Sequence, residues 1–309
     1  MKDITIIDTG YIHSGVAASY ALPVKDGVVI VEVNTNQAVE IILKTLLDQN
    51  YTPEEVKAVI LTHIHLDHAG GAGKIMEICP NAELIVHPRG KRHMSDPSRL
   101  EKSARIVYGD EQFEKLYGVL KPVSEERIRT VEDGERILTG EREFVFYHTP
   151  GHAKHHVCIH DTLSNGIFTG DTFGLCYGIL QEKGMFMIPA TTAVDFDPVS
   201  AKESLLRILS TGADQAYLTH FGCVTEMKEA ASQLTQDLNY CESLLIQTAE
   251  KKLQGKDAEN FCYESLSKYC FDKAKRMGLS MTDDQKYFLN LDMGINAGGI
   301  AHAASLMMN

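Results

Sequence analysis

Four residues of metal-binding type, His63, His65, Asp67 and His68, stand between the apolar run Ala58-Val59-Ile60-Leu61 and the pair Gly70-Gly71. A short continuous apolar run ahead of a glycine-rich turn reads as a strand buried on both faces. Folds of α/β type place their ligands beyond the carboxyl ends of such strands. The chain is thereby committed to a sheet whose edge carries chemistry. His63 and His65, two apart in extended or turning backbone, can point the same way, while Asp67 and His68 follow where the chain bends into a helix. Imidazole nitrogen together with carboxylate oxygen suits zinc, iron or manganese, and two ions could share this loop. A lone histidine is usually an ordinary hydrogen-bonded residue. Packing alone does not ask for four ligand types at this spacing.

At 309 residues and 44% hydrophobic, the chain can bury a large core, as one α/β domain or as a domain with a helical appendage. The formal charge of −12 argues against a broad phosphate-binding surface for nucleic acid, although a local basic pocket is compatible with it. The start, Met1-Lys2-Asp3-Ile4-Thr5, lacks a basic region followed by a long apolar one, and no apolar run approaches a membrane span. The expectation is a soluble, cytoplasmic protein that binds no membrane. Seven cysteines form no CxxC pair, so reduced thiols are expected, with Cys176 and Cys223 as small buried hydrophobes.

Strand patterns over Ile4–Ile7, Ser19–Val24 and Gly27–Val33 predict a small antiparallel sheet, followed by a helix over Gln37–Asn50. Thr52-Pro53-Glu54-Glu55 has the cap-then-proline pattern of a helix start. After the metal loop come a short helix, a strand ending at His87-Pro88-Arg89-Gly90, and a polar tract from Lys91 to Arg129 placed to overhang the site or to form a plain surface insertion. A second antiparallel group runs from Arg127 to Asp171, and a strand ending at Leu218 leads into Thr219-His220-Phe221-Gly222. From about Thr225 the pattern is helical, with Gly255 and Gly278 as helix stops and the Met/Leu stripes, Leu306 and Met307 included, as core.

Collected along the chain, the candidate ligands are His63, His65, Asp67, His68, His152, Asp171 and His220, each in a loop after a strand-like run. This HxHxDH, H, D, H series resembles that of the metallo-β-lactamase fold superfamily over roughly Met1 to Val224. More narrowly, His87-Pro88-Arg89-Gly90, Asp96-Pro97-Ser98, Tyr108-Gly109-Asp110, Thr149-Pro150-Gly151-His152 and Phe196-Asp197-Pro198 resemble a subgroup of its metallo-hydrolases, glyoxalase II-like in a broad sense. The resemblance implies an αββα four-layer sandwich over residues 1–224 and a helical extension over 225–309. It further implies a dinuclear site: His63, His65 and His152 on one ion, Asp67, His68 and His220 on the other, and Asp171 bridging. Zinc is the expected metal, with iron or manganese as alternatives. Where the superfamily often has Asp-Thr-Gly after its early strand, this chain has Glu32-Val33-Asn34. Glu32 is therefore the candidate to orient a ligand, while Asp8-Thr9-Gly10 reads as an ordinary turn.

Two cations sharing a water lower its pKa towards neutrality, and one of them polarises a carbonyl. The implied reaction is hydrolysis of a small ester, thioester or lactone, with Asp67 as the catalytic carboxylate that accepts a proton. Alternatives within the superfamily are an iron-dependent persulfide dioxygenase, a di-iron oxygen-binding protein, or a metal-containing regulator without catalysis. His65 argues against the di-iron reductases, which usually carry glutamate there. Arg89 and Lys154 are candidates to attract an anionic substrate, and Phe173 and Tyr177 to line the pocket. His155 and His156 read as supports rather than ligands. The helices after Thr225 would wall the pocket or mediate a homodimer; the expected partner is a small-molecule substrate.

Overall fold

The computed structural model describes residues 4–192 and 194–308. Met1 to Asp3, with which the expected metal-binding domain begins, lie outside the described residues, as do Ala193 and Asn309. The chain divides into two compact units: Met1–His148, His155–Gly170 and Ala213–Cys223 in the first, Thr149–Lys154, Asp171–Gly212 and Val224–Asn309 in the second.

The first unit carries two six-stranded sheets. In the first sheet β1 (Thr5–Asp8), β2 (Ala18–Val24) and β3 (Gly27–Val31) form an antiparallel meander. Then β4 (Val56–Ile60), β5 (Glu83–Val86) and β6 (Ile128–Thr130) run parallel to β3. Parallel neighbours need crossovers. These are α1 (Ala38–Asp48), α2 (Leu66–Ala69) with α3 (Ala72–Ile78), and α4 (Pro88–Ser95), α5 (Ser98–Tyr108) and α6 (Asp110–Leu116). The second sheet orders β7 (Arg136–Thr139), β8 (Arg142–His148), β9 (Val157–Asp161), β10 (Gly166–Gly170), β11 (Gln215–Leu218) and β12 (Gly222–Val224) consecutively, with β11 parallel to β10.

The two-residue period of the strands sorts their side chains onto two faces. Tyr20, Leu22, Val29, Val31 and Ile60 from the first sheet join Phe144, Phe146, Ile159 and Phe168 from the second in one core between the sheets. Val28, Ile30, Val59 and Leu84 turn the other way and pack with Val39, Ile42, Leu46 and Ile75 of the helices. Each such residue contributes about 1.5–3 kcal/mol by leaving water, so register is strongly specified on both faces.

In the second unit, α7 (Pro198–Ser210) starts on Asp197, whose carboxylate accepts the Val199 amide hydrogen 3.1 Å away. It precedes α8 (Met227–Glu250), α9 (Gly255–Arg276) and α10 (Asp283–Met307). The stripe Ala230, Leu234, Cys241, Leu245 on α8 and Leu289, Met293, Ile300 on α10 is buried, as their helical spacing requires. No described helix is long and apolar enough to cross a membrane.

Four local expectations change. Pro53–Glu55 is a single turn, because β4 begins at Val56 and leaves no room for a second. Gly255 opens α9 with φ +51° rather than ending α8. Cys223 is exposed, since it faces outward on the three-residue strand β12. Leu306 and Met307 are exposed at the last turn of α10.

Candidate metal centre

The loop after β4 and the loop after β11 meet in the first unit. Asp67, His68 and His220 each offer a ligand atom there, all within 4.8 Å of one another. Asp67 Oδ2 lies 3.3 Å from His220 Nε2 and 3.7 Å from His68 Nε2. His63 Nε2 and His65 Nδ1 face each other at 2.9 Å. In the second unit His152 Nε2 stands 3.5 Å from Asp171 Oδ2. All seven sequence-predicted ligands therefore sit beside at least one other, and only His65 and Asp67 are less than fully buried.

The imidazoles are held by their far nitrogens. His220 Nδ1 donates to the Val16 carbonyl at 2.7 Å, and His152 Nδ1 to the Ala190 carbonyl at 3.1 Å. His68 Nδ1 bonds the Glu32 carboxylate. A hydrogen on Nδ1 leaves the Nε2 lone pair as the exposed donor, the tautomer a metal needs. His63 Nδ1 meets the Thr62 hydroxyl at 3.1 Å.

Glu32 organises this region as the sequence suggested it could. Its other oxygen accepts the Thr62 amide hydrogen at 2.6 Å, and the Thr219 hydroxyl reaches the carboxylate at 3.4 Å. One carboxylate thus ties the bases of both loops of the first unit that carry candidate ligands. The backbone at Glu32 and Asn34 is left-handed, at φ +65° and +53°, a conformation that costs a non-glycine residue about 1–3 kcal/mol. The amides of Val33 and Asn34 are spent on the His68 carbonyl at 3.1 and 2.8 Å, and the Asn34 side chain donates to the Asp67 carbonyl at 2.5 Å. The strained turn clamps α2 by its carbonyls. Asp8, by contrast, caps its own turn through Gly10, Ser14 and Gly15, as an ordinary turn residue does.

Two glycines are dictated by close approach. A Cβ on Gly170, where φ is +47°, would lie 2.4 Å from Thr62 Oγ1 and 2.5 Å from His156 Nε2. A Cβ on Gly151, where φ is +128°, would lie 2.4 Å from the Ala201 backbone. The residues next in the chain are Asp171 and His152, so each loop is drawn tight beside its candidate ligand. His155 and His156 bear on the cluster through ring contacts: His156 stacks on His63 at 4.8 Å, and His155 lies edge-on to His65 at 5.3 Å.

Sequence reasoning missed the tyrosines. Tyr11, Tyr108 and Tyr117 gather in the first unit, with the Tyr11 and Tyr117 hydroxyls 2.8 Å apart and the Tyr108 ring against Tyr117. Burial, and then the negative charge of Asp67, raises the Tyr11 phenol well above its ordinary pKa, so it stays neutral beside the carboxylate. Residues 106 positions apart give no local periodicity to read; only the Tyr108-Gly109-Asp110 motif signalled this region. Phe173 and Tyr177 are buried in the second unit, where Tyr177 packs edge-on against Phe288. Lys154 is paired with Asp195 at 3.0 Å, which leaves Arg89 as the candidate for an anionic substrate.

The donor set, two imidazoles and a carboxylate converging on one point, fits a divalent ion of intermediate softness. Residues 15–220 match the family described as the metallo-beta-lactamase superfamily. The chain belongs to that superfamily. Within it, the metallo-beta-lactamase fold-containing protein ST1585 of Sulfurisphaera tokodaii is 28% identical over 59% of this chain and 67% of its own length. The solved ST1585 structure superposes with a TM-score of 0.67 at 20% identity, covering 97% of this chain and 98% of that one, which bears out the mixed α/β sandwich of two sheets and helices with a helical C-terminal region. Some of the relatives carry an activity in their names. The acyl-coenzyme A thioesterase MBLAC2 of Gallus gallus is 28% identical over 36% of this chain and 40% of its own length. The hydroxyacylglutathione hydrolase of Francisella tularensis subsp. novicida is 25% identical over 68% of this chain and 67% of its own length. The chain thus spans about two thirds or less of the length of these curated relatives.

Proposed function

We propose that this member of the superfamily is a dinuclear metal-dependent hydrolase of a small thioester, ester or lactone. His63, His65 and His152 would hold one ion, Asp67, His68 and His220 the other, with Asp171 shared, as the ligand series of the superfamily implies. The observation that carries the reading is the convergence of Asp67, His68 and His220, with His68 and His220 held in the donor tautomer by Glu32 and by the Val16 carbonyl. Zinc is the ion we assign. Bound there, two divalent ions would supply Lewis acidity and an ionised water at neutral pH.

The chain's own residues do the rest. Asp67 Oδ2, 3.3 Å from His220 Nε2, is placed to take the proton that the attacking water loses and to pass it to the leaving group. Glu32 fixes the His68 ring, and the neutral phenols of Tyr11 and Tyr117 offer hydrogen-bond donors beside Asp67 without competing for its proton. The thioesterase and hydroxyacylglutathione hydrolase among the relatives support a thioester in particular.

The test is elemental analysis of protein purified without added metal, followed by a panel of thioesters, esters and lactones. About two zinc ions per chain and cleavage of a thioester uphold the reading. A fully loaded protein that cleaves none of the panel overturns it, and iron with oxygen uptake on a persulfide would replace it with the oxygen branch.

A further inference from the structure

Residues 88–105 hold six basic side chains against the two acids Asp96 and Glu101, a formal +4 in a chain whose total is −12. The remainder therefore carries −16, and this segment is a local reversal of sign. One of the six, Arg105, is consumed by Glu101, Asp110 and Glu114. Arg89, Lys91, Arg92, Arg99 and Lys102 make no ion pair and no side-chain hydrogen bond among the described residues. In a protein with 42 acidic residues, these five cations stand on two adjacent helices with only Asp96 close enough for its charge to be felt, by Arg92 and Arg99.

Their placement is regular. On α4 the core side is Gly90 and Met94, so Arg89 and Arg92, three apart, share the solvent face. On α5, Arg99 and Lys102 do the same. The two faces adjoin across the turn: burial first, then the charges of Arg92 and Arg99 together, lower the pKa of His93, and hydrogen bonds from Ser98 first, then the same two arginines, lower that of Asp96. His93 Nδ1 is buried between them with no hydrogen-bond partner. The first turn of α4 abuts the metal loop: a Cβ on Gly90 would lie 2.9 Å from the side chain of Ile64, the residue between His63 and His65. An eight-residue helix is about 12 Å long, so the cations of α4 lie within about 12 Å, along the helix, of that contact.

We propose that the α4–α5 face binds the phosphate groups of a long thiol carrier whose thioester lies at the metal loop. Three arginines suit phosphate, because the guanidinium fork pairs two oxygens at once where an ammonium offers a point charge. This rests on the hydrolase reading for its reaction but not for its binding, and the two are separable.

Calorimetric titration of the metal-loaded protein with adenosine 3′,5′-bisphosphate, which has no thiol to engage a metal, measures the binding directly. The expected result is saturable binding that weakens as salt rises and falls about tenfold or more in Arg92→Glu/Arg99→Glu, with Lys44→Glu on α1 as an unchanged control. In turnover, the double variant raises KM for an acyl-coenzyme A by a similar factor at constant kcat, and leaves an acyl-pantetheine without phosphates unaffected. Equal or undetectable bisphosphate binding by both proteins overturns the proposal. So does a KM change confined to a glutathione thioester, or an RNA oligomer that binds this face more tightly than the bisphosphate. Bisphosphate binding lost in the variant, with no ester or thioester cleaved by either, upholds the phosphate surface and sinks the hydrolase reading instead.

Discussion

Glu32 and Asp237 are both carboxylates shut away from solvent, one at the end of β3 in the first unit and one midway along α8 in the second. Asp237 is satisfied entirely by its neighbours: Lys273 Nζ at 2.6 Å and the Tyr269 hydroxyl at 2.8 Å, while Lys273 also donates to the Met187 carbonyl. That network joins helices and ends there. Glu32 instead spends its oxygens on the Thr62 amide, on Thr219 and on His68, whose other nitrogen faces Asp67. Its residue also bears a strained backbone that Asp237, inside a helix, does not. A buried carboxylate that closes on itself serves the fold. One that hands its order on to a titratable neighbour serves a site.

The contrast can be broken by substitution. Asp237→Ala leaves the Lys273 ammonium buried without its counter-charge, and should cost about 3–5 kcal/mol in a denaturant or thermal melt, with metal affinity of the folded protein unchanged. Replacing both partners, Asp237→Leu with Lys273→Met, should recover most of that loss, because a well-packed apolar pair avoids the desolvation cost of the ions. An Asp237→Ala protein of undiminished stability, or one with weakened metal binding, would erase the distinction.

A third buried polar group lies at the same end of the first sheet. His87, ring to ring with His148 at 4.2 Å, is pulled down to a pKa of about 4 by burial first and then by His148 and Arg89. With the folded value below the ordinary 6.5, the unfolded chain binds the extra proton. Its contribution to stability is therefore complete above pH 6.5, and up to about 3 kcal/mol is lost as pH falls from 6.5 towards 4. Melting curves of wild type and His87→Gln across that window should converge at low pH, and parallel curves would deny the assignment.

Glu32→Gln keeps the shape of the side chain but removes the charge facing His68. It should weaken metal affinity or turnover about 10–100-fold in a competition titration, with a smaller effect on melting than Asp237→Ala. A reversed ranking would make Glu32 structural. The smallest change belongs to the helical unit alone: Thr282, whose hydroxyl accepts the Gln285 amide hydrogen at 3.2 Å while Gln285 returns the bond, caps α10. Thr282→Ala should cost about 1 kcal/mol in the same melt and leave metal titrations untouched.

The candidate ligand residues could be named from the sequence because their types are rare at that spacing and each follows an apolar run. Glu32 could be named only as a substitute for a missing Asp-Thr-Gly, since nothing local shows that a left-handed backbone turns its side chain under two loops. Tyr11 and Tyr117 were invisible for a related reason: their pairing belongs to the crossover through α4–α6, whose polar tract gives no strong period. The strands and long helices came through because burial on a two-residue or 3.6-residue period leaves a mark in composition. Pro53–Glu55 and Gly255 did not, because turn chemistry marks a boundary without saying which side of it the helix lies on.

Metal content of the purified protein beside that of His220→Ala tests the central claim most directly. About two ions per chain in the first and about one fewer in the second is the expected result, since His220 would complete one coordination sphere and leave the other intact. Equal content in both proteins, or none in either after incubation with zinc, would show that Asp67, His68 and His220 converge without holding an ion.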